Sequence, residues 1–73
     1  MHERQGGDYL GFKIREKRRA QDMTQDELAE KSGVSRTIIA GLESGAIEVT
    51  TTRTLEKIAL ALNSKVEDIF FSD

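Results

Sequence analysis

Cysteine is absent from the 73 residues. No disulfide framework and no thiolate metal site are therefore available, a composition that fits a cytosolic protein. Proline is absent too. Strand-type alternation is scarce, and short apolar clusters recur at helical spacing, which predicts an all-α domain. No apolar run reaches the length of a membrane span, and no signal-peptide core is visible. Histidine occurs once, at His2, with no second ligand type spaced to share a metal with it. With that single terminal histidine and no convergent acid/base set, a catalytic site has nothing to be built from. The length suits one domain, near the lower size at which a single core holds a fold without staples.

Net basic charge is also missing. The formal charge is −2, and it is unevenly spread. Residues 1–23 carry six Lys/Arg against four Asp/Glu, residues 24–45 two against four, and residues 46–73 three against five. The basic footprint is confined to KIREKRR at residues 13–19, with isolated Arg36, Arg53 and Lys57. A nucleic-acid binder usually shows a broader one.

What is present is a series of helix signals. MHERQGG at residues 1–7 is polar and without period, and reads as a disordered arm or an expression remnant ahead of a domain over residues 8–73. Residues 8–22 read as a first helix with Leu10, Ile14 and Lys17/Arg18 on one stripe. Arg18 on the inner side requires a partner if it is buried. TQDELAEKSG at 24–33 is a second helix opened by a Thr24/Glu27 capping box and stopped by Gly33. VSRTIIAGLESG at 34–45 is a third, with Ser35 as its N-cap, Ile39 and Leu42 inward, and Gly45 as its stop. AIEVTTT at 46–52 is read as an extended loop. Leu55, Ile58, Ala59 and Leu62 give the fourth helix, over 53–63, the strongest amphipathic pattern in the chain. A second capping box, Ser64 to Glu67, is expected to open a short fifth helix with Val66, Ile69 and Phe70 inward. The acidic pairs Asp26/Glu27 and Glu67/Asp68 sit in helix first turns, where the helix dipole accounts for them.

Helices two and three, joined by a glycine-containing turn, form a helix-turn-helix. Ala29 supplies the small residue at the crossing, Gly33 the permissive backbone, and Leu28, Ile39 and Leu42 the apolar anchors. One position resists this reading. Gly41 lies inside the third helix, where glycine costs about 1 kcal/mol relative to alanine.

TQDELAEKSGVSRTIIAGLESG followed by TLEKIALALNSKVEDIF resembles the lambda-repressor/Cro-like helix-turn-helix family, also called the XRE family. The resemblance runs from about Leu10 to Phe70 and also takes in the IREKR of the first helix. It implies a compact five-helix DNA-binding domain, commonly a prokaryotic or phage regulator that binds operators as a dimer. It implies that Arg18 pairs with Glu43 as a structural ion pair, through charge-assisted hydrogen bonds. It implies that Gln25 contacts the DNA backbone at a helix N-terminus. The third helix is then expected in the major groove with Arg36 and Thr37 on base edges. Ser35, Thr52 and Arg53 fall where relatives touch the backbone.

The sequence departs from the family at Gly41, where many relatives carry a long polar or basic side chain. Ala46 stands where a basic residue is common, and the following loop is longer and lacks the usual proline. Three accounts of Gly41 are open. It lets the backbone approach the bases, it is a weak position compensated by packing, or it belongs to a face that docks a protein.

Two functions follow as expectations. The first is a sequence-specific double-stranded DNA-binding regulator, a small cytoplasmic repressor acting as a homodimer, with no cofactor, small-molecule substrate or membrane partner. The second is a protein-binding helix-turn-helix, an antirepressor or antitoxin that docks on another regulator. A dimer patch is expected at the fifth helix, around Ile69 and Phe71, although Phe71 equally suits a cover for the core edge.

Overall fold

A computed structural model describes residues 10–70, without the side chains of Leu10, Phe12 and Phe70. Five helices follow one another: α1 (Leu10–Ala20), α2 (Gln25–Ser32), α3 (Arg36–Ser44), α4 (Thr52–Ala61) and α5 (Val66–Phe70). No strand occurs among the described residues. No helix among them is long and apolar enough to cross a membrane. The expectations for residues 1–9 and for Phe71 lie outside the described residues, and Leu10's place on the stripe is outside the described side chains.

Local chemistry sets the helix ends. The Thr24 hydroxyl accepts from the Glu27 N–H at 3.0 Å, and the Glu27 carboxylate accepts from the Thr24 N–H at 2.8 Å. Two of the four orphan donors of α2 are thereby satisfied. Gly33 ends α2 at φ 76° and Gly45 ends α3 at φ 89°, a left-handed backbone that costs glycine little. Ser35 caps α3 by accepting from the Ile38 N–H, and Thr51 caps α4 by accepting from the Thr54 N–H. Two non-glycine residues also take a left-handed backbone, Asp22 at φ 54° and Asn63 at φ 56°. They follow α1 and α4, and short polar side chains of this kind tolerate that region. The first helix therefore ends before residue 22.

The start of α5 departs from the sequence reading. Ser64 does not cap with Glu67. Its hydroxyl donates to the Leu62 carbonyl, and Asp68 accepts from the Lys65 N–H at 3.2 Å. The cap is thus shifted by one residue, and the serine is spent on closing the turn after α4.

Ile14, Leu28, Ile39, Leu42, Ile58, Leu62 and Ile69 form the core, with Met23 and Val34 at its edge. Each such fully buried side chain contributes about 1.5–3 kcal/mol. α1 packs on α3 and α5, α2 on α3 and α4, and α4 on α5. This arrangement leaves the outer side of the α2–α3 pair in solvent. Ile69 is 1% exposed. It belongs to the core and is removed from the expected dimer patch, because the inward stripe of α5 takes it.

Candidate nucleic-acid interface

Two glycines determine how close α3 lies to its neighbours. A Cβ at Gly11 of α1 would come within 2.7 Å of the Glu43 Cα and run into the Leu42 carbonyl. Only glycine permits this backbone-to-backbone crossing of α1 and α3. At Gly41, a Cβ would lie 2.5 Å from Cδ1 and 2.7 Å from Cγ1 of Ile47. The Ile47 N–H donates to the Gly41 carbonyl at 2.9 Å, so the loop after α3 folds back and lays Ile47 on the glycine. A side chain at position 41 would therefore meet Ile47 before it met solvent. The side from which its side chain would project is filled by the protein's own loop, and packing compensates its low helix propensity.

At the centre of the α1–α2–α3 junction lies a buried charge. Glu43 is 1% exposed. Arg18 donates to both of its oxygens, from Nε at 2.7 Å and from Nη2 at 2.8 Å, the fork-to-fork geometry that makes such pairs strong. Arg18 Nη1 also donates to the Met23 carbonyl at 2.7 Å, tying α1 to the turn before α2. Arg15 approaches Glu43 Oε1 at 3.5 Å. Burial pushes the Glu43 carboxyl up, but the hydrogen bonds from Arg18 and Gln25 and the charges of Arg18 and Arg15 outweigh it and hold the group below the ordinary glutamate value. The bond to Glu43 correspondingly raises the pKa of Arg18 against the effect of burial. Among the described residues no buried side-chain polar atom lacks a partner.

The network continues outward to the surface. The Gln25 Nε2 donates to Glu43 Oε1 at 3.0 Å. A carboxylate only accepts, so the amide must present its NH₂ inward and its carbonyl outward. That carbonyl faces Arg36 Nη2 at 3.5 Å. Arg36 Nη1 lies 3.3 Å from Asp26 Oδ1. Arg36, the first residue of α3, thus stands between two successive residues of α2, with 59% of its side chain still exposed. Thr37 beside it is exposed. Below them opens a groove of about 530 Å³ whose lining includes Arg19, Thr24, Gln25, Asp26 and Arg36.

The remaining positions fall around this edge. Ser35 is exposed while its hydroxyl serves the α3 cap. Thr52 and Arg53 open α4 on its exposed side, and it is Thr51, not Thr52, that caps the helix. The sequence reading missed Gly11, Arg15, Ile47 and the reach of Asp26. Asp26 carried a local signal only as a first-turn acid. Its approach to Arg36 depends on how α3 crosses α2.

The family model described as Helix-turn-helix matches residues 14–69. An uncharacterized HTH-type transcriptional regulator of Archaeoglobus fulgidus is 44% identical over 61 residues, spanning 84% of this chain and 86% of that protein. The ImmF control region 10 kDa protein of Bacillus phage phi105 is 37% identical over 57 residues, spanning 78% of this chain and 62% of that one. Among solved structures, a chain of the SinR protein/SinI protein complex superposes with a TM-score of 0.82 at 25% identity, covering 86% of this chain and 61% of that chain.

Proposed function

The chain belongs to the XRE/Cro-like helix-turn-helix family of DNA-binding transcriptional regulators, a non-enzymatic family, and from that premise we propose how it reads DNA. α3 enters the major groove. Arg36 offers its fork to the O6 and N7 of a guanine, and Thr37 offers a hydroxyl and a methyl group to the neighbouring base. Gln25, Ser35, Thr52 and Arg53 meet phosphates on either side. The protein acts in the cytoplasm as a dimeric repressor on a two-fold operator, since one small module has limited affinity and two half-sites multiply it.

One observation carries this reading. Arg36 is exposed at the leading end of α3 and is oriented from behind by Gln25, which is itself fixed to the buried Glu43. A side chain prepared in this way recognises a planar partner at less entropic cost than a free one. Arg18 and Glu43 serve the fold beneath this surface.

Selection from a random pool of double-stranded DNA, followed by salt titration on the recovered site, tests the reading. A palindrome bound with steeply salt-dependent affinity supports it. A pool without enrichment refutes it and favours a protein partner. Two observations make that the second reading. The solved relative was captured in complex with another protein, and Val49 and Leu60 stand 84% and 79% exposed.

A further inference from the structure

Asp26 stands apart from its neighbours on α2. Glu27 is used in the capping box, and Gln25 is fixed to Glu43. The Asp26 carboxylate does neither. It reaches across the helix pair to Arg36 Nη1 at 3.3 Å, while its own side chain remains 74% exposed. An ion pair this exposed does little for folding. It changes instead what an approaching polyanion meets.

A free guanidinium is drawn to any phosphate, whatever the sequence, whereas the edge of a guanine rewards only an aligned fork. Gln25 takes one hydrogen from Nη2, and Asp26 pairs with Nη1 by charge at 3.3 Å. Both nitrogens keep hydrogens for an outside acceptor. The carboxylate meanwhile offsets one of the few cations on this surface and repels a phosphate at the same place. We propose that Asp26 is a specificity-determining positioning residue, which aligns Arg36 for a guanine edge and suppresses its sequence-independent capture by phosphate. The inference rests on the reading of Arg36 given above.

The test compares binding of the full chain to its selected duplex and to a scrambled duplex of equal length, across a salt series. The wild type is set beside Asp26→Asn, Asp26→Glu, Arg36→Ala and the Asp26→Asn/Arg36→Ala double variant. Asp26→Asn is expected to bind the scrambled duplex roughly three- to tenfold more tightly. Its selected-to-scrambled ratio should fall by a similar factor, and its salt dependence on the scrambled duplex should steepen by about one counterion. Asp26→Glu should restore the ratio. In the Arg36→Ala background the Asp26→Asn change should have a much smaller effect, left only by its own repulsion of phosphate. An unchanged ratio in Asp26→Asn overturns the proposal, and so does an equal gain in the double variant, which would mark a general charge effect. If Arg36→Ala abolishes the preference while Asp26→Asn leaves it intact, only the role of Asp26 falls. A wild type without any preference overturns both readings.

Discussion

Gln25 and Arg18 share one oxygen. Oε1 of Glu43 accepts from Gln25 Nε2 at 3.0 Å and from Arg18 Nη2 at 2.8 Å. The residue that opens α2 and a residue near the end of α1 are therefore held by a single atom of α3. One carboxylate fixes the mutual placement of all three helices and, through the outward carbonyl of Gln25, the direction of Arg36.

Removing that carboxylate should cost the fold before it costs recognition. Glu43→Ala leaves the Arg18 guanidinium, whose side chain is 12% exposed, without its charge partner. Breaking a buried pair in this way costs about 3–5 kcal/mol, a large share of the stability of a small domain. Urea unfolding should show the loss. Any protein that remains folded should lose less of its sequence preference than Arg36→Ala does.

The same group predicts a dependence on pH. Its folded pKa lies below the ordinary glutamate value, so the unfolded chain binds the proton more readily. The stabilisation is fully present above the unfolded value of about 4.3 and is lost as pH falls through the depressed folded value. Glu43→Gln lacks this titration. The stability gap between wild type and Glu43→Gln should therefore be constant near neutrality and narrow as the solution is acidified toward about pH 3. Urea midpoints across that range test it, and a gap that widens on acidification would contradict the assignment.

The two helix glycines should respond differently to alanine. At Gly11 the added methyl meets backbone of α3, which cannot turn aside. The helix must move, and overpacking of this kind costs about 1–3 kcal/mol. At Gly41 the methyl meets Cδ1 and Cγ1 of the Ile47 side chain and no backbone, so the loop side chain can yield more readily than a helix. Gly41→Ala alone should be close to neutral, since the propensity gain of up to about 1 kcal/mol is offset by displacing Ile47. In an Ile47→Ala background the same change should stabilise by about 0.5–1 kcal/mol. A thermal double-mutant cycle reads this coupling, and strict additivity would show that Ile47 does not pack on Gly41.

The contrast between these positions shows what the sequence made legible. The Thr24/Glu27 box, the Ser35 cap and the Gly33 and Gly45 stops are decided within a few residues, so pattern alone finds them. The core positions of α4 follow from period in the same way. Ser64 misled because two overlapping registers, Ser64–Glu67 and Lys65–Asp68, satisfy the same spacing rule, and the turn after α4 claimed the serine. Gly11 and the meeting of Gly41 with Ile47 carry no local sign. The first exists because two backbones distant in sequence approach, and the second depends on how the loop after α3 turns back. Arg36 and Thr37 could be named as candidates by residue type, and both are exposed at the start of α3. The wiring of Arg36 through Gln25 and Asp26 depends on the α2–α3 crossing.

Recognition itself should divide by residue. Arg36→Ala removes a bidentate donor, so it should relax one base position in each half-site and cost about 1–3 kcal/mol there, while other positions keep their preference. Arg53→Ala removes an exposed charge at the start of α4. It should weaken binding almost uniformly across sequences and lower the salt slope by about one. Binding-site selection repeated with each variant separates the two outcomes. The reverse pattern, with uniform weakening from Arg36→Ala and a lost base preference from Arg53→Ala, would move the reading surface from the leading end of α3 to α4.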